Sequence, residues 1–181
     1  MNPKAIIEKY YYGHEKAMQI LIEHSEAVAK KALQIARNIN NPDIDLKFIE
    51  EACMIHDIGI IYTNAPDLAC FGEKPYICHG YLGREIIEKE GYPKHALVCE
   101  RHTGIGLTEG MIREQKLPIP VRNMVPESLE EIIICYADTF FSKSKGQLGV
   151  EKPLDKVLKS LRKHGEKNAE VFMEWHTLFN V

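Results

Sequence analysis

Six side chains that could bind a metal ion stand among apolar residues in this sequence. His24 shares a helical face with Leu21 and Val28, which places an imidazole on the side of the helix that should be buried. Asp138 follows Ile134 by one helical turn, and an ionised carboxylate in such surroundings is costly unless it meets a cation. The full set of candidate ligands is His24, His56, Asp57, His79, His102 and Asp138.

Imidazole and carboxylate together form a ligand set suited to iron, manganese or zinc. The adjacent His56 and Asp57 extend this chemistry, because one carboxylate has two oxygens and can bridge two ions held about 3.5 to 4 Å apart. A single histidine on an apolar face is more often a hydrogen-bonded core residue. Side chains from several helices that pack around one core can converge, however, so the joint pattern predicts a metal centre.

The elements that must position these residues are helices. Apolar residues recur three or four positions apart along almost the whole chain, which predicts an all-α fold class. We expect one long helix or two over 14–39, and a next helix from about 45 that Gly59 ends. Residues 60–76 contain prolines, a glycine and no sustained period, which indicates a loop. Further helices are expected at about 79–90, 93–102, 109–115, 153–164 and 166–179.

The helix that contains Asp138 has the sharpest predicted start. Ser128 is followed three residues later by Glu131, which is the pattern of a capping box at a helix N-terminus. We expect this helix to run to about residue 143. We find no internal repeat or linker, and therefore expect a single domain over 1–181.

Composition narrows the class of protein. Of the 181 residues, 45% are hydrophobic and 27% are charged, and the formal net charge is -3, so we expect no nucleic-acid partner. No apolar run approaches the roughly 20 residues of a membrane span, and no signal segment opens the sequence. We therefore expect a cytoplasmic protein without a membrane partner. The five cysteines form no C-x-x-C pair, which disfavours a disulfide framework or a zinc ribbon.

The ordered motifs resemble a known family. They are His24, then His56-Asp57-Ile58-Gly59, His79-Gly80, His102-Thr103-Gly104 and Ala137-Asp138. Over about 20–145 the chain is similar to the HD superfamily of metal-dependent phosphohydrolases, in its two-metal HDIG branch. It also resembles bacterial diadenosine tetraphosphate hydrolases and the HDIG-domain hydrolases of archaea and bacteria. The resemblance implies an HD-type helical bundle with a metal site at its centre and C-terminal helices at about 153–180.

The resemblance also implies a role for each ligand. His24, His56, Asp57 and Asp138 would hold one ion, and Asp57, His79 and His102 a second, with Asp57 as the bridging catalytic residue. One or two divalent transition-metal ions are implied, iron or manganese first, with zinc, cobalt or nickel as alternatives. The implied activity is hydrolysis of a nucleotide or another small phosphate ester or anhydride by a metal-activated water.

One position departs from the family pattern. Many HDIG members have a lysine three residues after the aspartate, where it can contact substrate phosphate, and this chain has Ile60 there. A replacement must come from elsewhere, and we favour Arg101, since a guanidinium next to a ligand can grip phosphate oxygens in pairs. The other candidates for substrate binding are Lys143, Lys74 and Arg84.

Two other functions use the same ligand set. One is an HD-fold oxygenase with a mixed-valent di-iron pair, and the other is a catalytically weak sensor or binding module, for which Ile60 is the only support. The sequence leaves the substrate, the native metal and the oligomeric state open, with a homodimer as one candidate. We expect the segments 60–76 and 103–125 to shape the pocket.

Overall fold

The computed structural model describes residues 1–179, and helices dominate this part of the chain. The elements are α1 (Pro3–Tyr10), α2 (Glu15–Ile39), α3 (Leu46–Ile55), α4 (His79–Lys89), α5 (Pro93–Arg101), α6 (Glu109–Glu114), α7 (Leu129–Thr139), α8 (Leu154–Arg162) and α9 (Glu166–Phe179). Two short strands, β1 (Asn64–Ala65) and β2 (Cys70–Phe71), pair antiparallel. The predicted all-α fold class is confirmed. The predicted end of the C-terminal helices, at about residue 180, lies outside the described residues.

The long helix α2 is continuous and forms the centre of the packing. Its apolar face packs against α3 and α7, and its buried residues Val28, Ala32 and Ile35 belong to the largest hydrophobic cluster. The same cluster takes in Ile133 from α7 and Phe172 from α9. The apolar stripe that the sequence predicts on α2 therefore faces the core, as burial of one helical face requires.

The N-terminus of α7 is capped as the sequence indicates. The Ser128 hydroxyl accepts a hydrogen bond from the Glu131 amide at 3.2 Å. The Glu131 carboxylate accepts from the Glu127 amide at 2.7 Å, rather than from Ser128 as in a complete capping box. At its other end α7 stops at Thr139, so the predicted continuation to about residue 143 is wrong. The chain leaves the helix there, because the Phe140 and Phe141 amides bond back to the last turn.

The segment after α3 also differs from the prediction. The helix ends at Ile55, and Gly59 lies inside a 3₁₀ turn over Ile58–Tyr62, so this glycine does not end the helix. Its role is close packing, since a Cβ at this position would overlap the backbone of His79 and Gly83 in α4. Between residues 62 and 78 the chain forms a loop with the short β1–β2 pair and two further 3₁₀ turns.

Two other expectations concern the whole chain. Within residues 1–179, none of the helices combines the length and the apolar character needed to cross a bilayer. All five cysteines are free and buried, as the absence of paired spacing predicts.

Candidate metal centre

Five helices bring the six predicted ligands together. His24 lies in the middle of α2, and His56 and Asp57 follow directly after α3. His79 is the first residue of α4, His102 follows the last residue of α5, and Asp138 lies in the last turn of α7. The side chains of His24, His56 and Asp57 have no exposed surface, and that of Asp138 is 16% exposed. The cluster is therefore buried, with Asp138 at its accessible edge.

The six side chains form two groups that share Asp57. His24, His56, Asp57 and Asp138 each offer a ligand atom within 4.8 Å of the others, and so do Asp57, His79 and His102. The Oδ2 atom of Asp57 lies 3.3 Å from His24 Nε2 and 3.1 Å from His56 Nε2. Its Oδ1 atom lies 3.5 Å from His79 Nε2 and 3.3 Å from His102 Nε2. Each carboxylate oxygen thus faces a different histidine pair.

Backbone carbonyls orient three of the four imidazoles. The Nδ1 atom of His56 lies 2.6 Å from the Cys53 carbonyl, and His79 and His102 repeat this contact with carbonyls three residues earlier at 2.7 and 2.8 Å. A carbonyl only accepts, so each Nδ1 carries the proton and donates it. Each Nε2 therefore faces the cluster, and in the neutral ring it presents the lone pair that binds a metal.

The contacts inside the cluster call for a cation. His24 Nε2 and His56 Nε2 are 3.3 Å apart, and the Nε2 atoms of His79 and His102 are 3.2 Å apart. Two ring nitrogens at that distance need either a shared proton or a metal cation between them, because two lone pairs would repel. Oδ1 of Asp57 is buried without a hydrogen-bond partner among residues 1–179, although buried polar atoms are normally satisfied, whereas Oδ2 meets the Lys143 ammonium. The residues present fit a metal site, and the cluster could hold one or two ions.

The charges in the cluster match this interpretation. Burial alone raises the pKa of the Asp57 carboxyl, but the charges of Lys143 and His56 outweigh it and hold that pKa well below its usual range. The pKa of Asp138 is also held well below its usual range, because Lys143, His24 and His56 outweigh the effect of burial. Burial lowers the pKa of His79 to about 4, although Asp57 opposes it. Ionised carboxylates and a neutral imidazole are the metal-binding forms.

The pKa of His56 is shifted in the opposite direction from that of His79. Burial lowers the pKa of His56, but the charges of Asp57 and Asp138 outweigh burial and raise this pKa to about 10. Its proton lies in the field of two carboxylates that a metal cation would neutralise. Metal binding to such a histidine releases the proton.

Of the four substrate-binding candidates, Lys143 is the one whose side chain meets the six clustered residues. Its Nζ atom lies 2.5 Å from Asp57 Oδ2, and its side chain is 13% exposed. Burial would lower the pKa of Lys143, but Asp57 and Asp138 raise it above its ordinary value, so its ammonium stays charged. Lys143 comes from the loop after α7, which sequence reasoning had assigned to the helix.

The other three candidates lie elsewhere. The Arg101 guanidinium pairs with Glu131 at 3.0 Å and Glu127 at 3.1 Å. Arg84 pairs with Glu100 at 2.5 Å and with Glu88 at 2.8 Å. Lys74 is exposed on the loop after β2. Arg101 adjoins His102 in sequence, but its side chain is held by two carboxylates at the N-terminal end of α7.

Sequence reasoning did not single out three residues that lie near the cluster. The Tyr76 ring stacks on the His79 imidazole with ring centroids 4.7 Å apart. Tyr76 and Lys143 line a cleft that Lys16 and Lys145 also line. The sequence held a signal for Lys145, which alternates with serines next to Lys143 in the run Ser142-Lys143-Ser144-Lys145. No local pattern distinguishes Lys16 from other exposed helix lysines.

Comparisons with known proteins agree with this architecture. The HD domain family matches residues 21–142. An uncharacterized protein of Methanocaldococcus jannaschii is 32% identical over 165 residues, which cover 85% of this chain and 87% of the relative. The tRNA (cytidine(56)-2'-O)-methyltransferase of Picrophilus torridus is 33% identical over 132 residues, or 72% of this chain. The protein of the same name in Thermoplasma volcanium is 29% identical over 161 residues.

The lengths of these relatives differ. The matched stretch spans 34% of the Picrophilus torridus protein and 40% of the Thermoplasma volcanium protein. No solved structure is significantly similar to the chain.

Proposed function

The chain belongs to the HD domain family, and on that premise we propose that it is a metal-dependent phosphohydrolase. The proposed substrate is a nucleotide or another small phosphate ester or anhydride. The finer assignment to the two-metal HDIG branch, with iron or manganese as the first candidate metals, belongs to the same proposal. An HD domain with a His/Asp cluster that could hold a metal fits this class of enzyme.

The observation that supports the proposal most directly is the position of Asp57 between two histidine pairs. Its Oδ2 atom faces His24 and His56, and its Oδ1 atom faces His79 and His102. His24, His56, Asp57 and Asp138 would hold one ion, and Asp57, His79 and His102 the other. Two ions, when bound, supply charge neutralisation at the phosphoryl oxygens and lower the pKa of an attacking water.

The chain itself contributes orientation and charge. The carbonyls of Cys53, Tyr76 and Cys99 hold the Nδ1 atoms of His56, His79 and His102, so that the Nε2 atoms of these rings point inward. Lys143 holds a positive charge at the accessible edge of the cluster, where it would contact an oxygen of the transferring phosphoryl group. Lys143 would then take the role that a lysine at the position of Ile60 has in many HDIG members.

The methyltransferase name of two relatives does not enter this proposal. The chain spans only 34% and 40% of those proteins, so the name of the whole protein does not assign an activity to the matched stretch. Their named substrate, a tRNA, is therefore not transferred to this chain.

A substrate screen tests the proposal. Phosphate release from nucleoside mono-, di- and polyphosphates and from a simple aryl phosphate is measured with the protein loaded with manganese, iron or cobalt. We expect release with at least one metal, its loss in Asp57→Asn, and its retention in the matched control Asp155→Asn, since Asp155 is exposed on α8. If fully metallated protein releases phosphate from none of these substrates, the proposal is contradicted.

A further inference from the structure

A cleft of about 880 Å³ opens beside the candidate metal centre. It meets the centre at two residues that line it, Lys143, which contacts Asp57, and Tyr76, which stacks on His79. Its size lies within the range of small-molecule binding sites, roughly 300 to 1,000 Å³. The cleft is thus larger than one phosphate group requires, and it can hold the remainder of a substrate whose reacting end lies at the metals.

The ionisable residues that line the cleft are mostly basic. Lys16, Lys143 and Lys145 are opposed by a single carboxylate, Asp67. With Lys143 paired to Asp57, Lys16 and Lys145 against Asp67 leave a local excess of one positive charge, whereas the chain as a whole has a formal net charge of -3. A cleft with one sign of charge concentrates ligands of the opposite sign. The cleft therefore favours an anionic ligand.

Lys16 and Lys145 are the two lysines of the cleft whose charge is available for a ligand. Lys143 is paired with Asp57 at 2.5 Å. Within the part of the chain that the structure describes, the ion pairs include no carboxylate partner for Lys16 or Lys145. Lys143 therefore serves the metal centre, and the other two lysines face the cleft without a direct ion pair, with Asp67 as the acidic residue of the lining.

Lys143 and Lys145 are held on one turn by the serines that alternate with them. The Ser144 amide donates to Ser142 Oγ at 3.2 Å, and Ser142 Oγ donates to Ser144 Oγ at 3.0 Å. Lys16 approaches the cleft from the first turn of α2. Cations from two separate elements thus line one cleft, so that one ligand could contact both.

We propose that Lys16 and Lys145 form a subsite for a second phosphate group of the substrate. This inference rests on the proposed function, because that function places the reacting phosphoryl group at Lys143 and the metals. It narrows the substrate class to compounds with at least two phosphate groups, such as nucleoside di- or triphosphates. The segment with Ala65, Pro66 and Leu68 adds apolar surface to the same cleft, which suits the organic part of such a compound.

Binding of inorganic probes tests the subsite without any turnover. Dissociation constants of orthophosphate and pyrophosphate are measured by calorimetry on the metallated protein. They are measured on the parent, on Lys16→Met/Lys145→Met, and on the control Lys156→Met/Lys159→Met. The control removes the same charge from α8, at lysines that are exposed and do not line the cleft.

The comparison of variants decides the outcome, since pyrophosphate also binds metal ions better than orthophosphate does. We expect the Lys16/Lys145 variant to lose at least fivefold in its preference for pyrophosphate over orthophosphate, and the control to keep the parent's preference. An unchanged preference in the Lys16/Lys145 variant, an equal drop in the control, or no pyrophosphate binding by the parent overturns the subsite. If the protein releases phosphate from a monophosphate but shows none of these binding effects, the proposed function stands and the subsite proposal is wrong.

Discussion

The ammonium of Lys143 lies 2.5 Å from Oδ2 of Asp57, the carboxylate that faces both histidine pairs. This contact depends on the end of α7 at Thr139. Had the helix continued to residue 143, Lys143 would lie five residues after Asp138, about 140° around the helix axis from it. The turn after α7 instead returns Lys143 to the cluster, and it gives the centre a cation of its own.

Replacing Lys143 should impair catalysis more than it impairs folding. We expect Lys143→Met to lower kcat/KM by more than about tenfold, which corresponds to about 1.4 kcal/mol of transition-state stabilisation. Lys143→Arg should recover part of the loss, because it keeps the charge but not the geometry. Steady-state kinetics on a substrate that the parent turns over checks this. A Lys143→Met enzyme with the parent's kcat/KM would show that the metals alone hold the phosphoryl group.

Arg101 is the residue that sequence reasoning favours as the phosphate clamp. Replacing it should impair folding more than it impairs catalysis. Its guanidinium pairs with Glu131, whose side chain is 6% exposed. Arg101→Met leaves that carboxylate without its cation, which should lower the free energy of unfolding by about 1 to 3 kcal/mol. We expect kcat/KM of the folded variant to stay within about twofold of the parent. Urea unfolding and kinetics on the same preparation separate the two effects, and a tenfold kinetic loss at unchanged stability would favour the clamp.

Metal content should respond most strongly to Asp57. We expect the parent to bind one or two transition-metal ions per chain, and Asp57→Ala to lose all of them, because this carboxylate is common to both candidate sites. Elemental analysis after reconstitution and desalting measures the content, with Asp155→Ala as the matched control. A full complement of metal in Asp57→Ala, or none in the parent, contradicts the assignment of ligands.

The two candidate sites should empty separately. His24→Ala or Asp138→Ala should remove the ion held by the first group, whereas His79→Ala or His102→Ala should spare it and abolish turnover. The second group has only two histidines and a shared carboxylate, so its ion should be the more easily lost. Metal stoichiometry of the four variants tests this, and equal losses in all four would argue against two distinct sites.

Gly59 should tolerate no side chain. A Cβ there would overlap the His79 carbonyl oxygen and the Gly83 amide, so Gly59→Ala must push α4 away and should cost about 1 to 3 kcal/mol of stability or more. Gly110→Ala is the control, since Gly110 is exposed on α6 and an alanine there meets only the Thr108 hydroxyl at 3.8 Å. The control should be neutral or slightly stabilising. Thermal unfolding of both variants measures the difference, and equal melting temperatures would contradict the packing role.

The sequence alone determined the features that depend on local chemistry. The apolar spacing along α2 and α7 predicted helices with one buried face, because burial of a stripe requires that period. Ser128 predicted the start of α7, since its hydroxyl can accept a hydrogen bond from the amide three residues later. Polar residues such as His24 on apolar faces indicated a shared centre, because each would need a partner once buried. That the six side chains approach one another follows from these requirements.

Only the tertiary structure decided which atoms meet. In the sequence, Arg101 and Lys143 were both plausible phosphate-binding cations. In the fold, Arg101 pairs with Glu131 and Lys143 pairs with Asp57. Gly59 looked like a helix stop, whereas its function is set by α4, which begins twenty residues later. Lys16 joins Lys145 at one cleft only because α2 and the loop after α7 pack together. Such contacts depend on where distant segments cross, and the free energy of those crossings is a property of the whole core rather than of any local stretch.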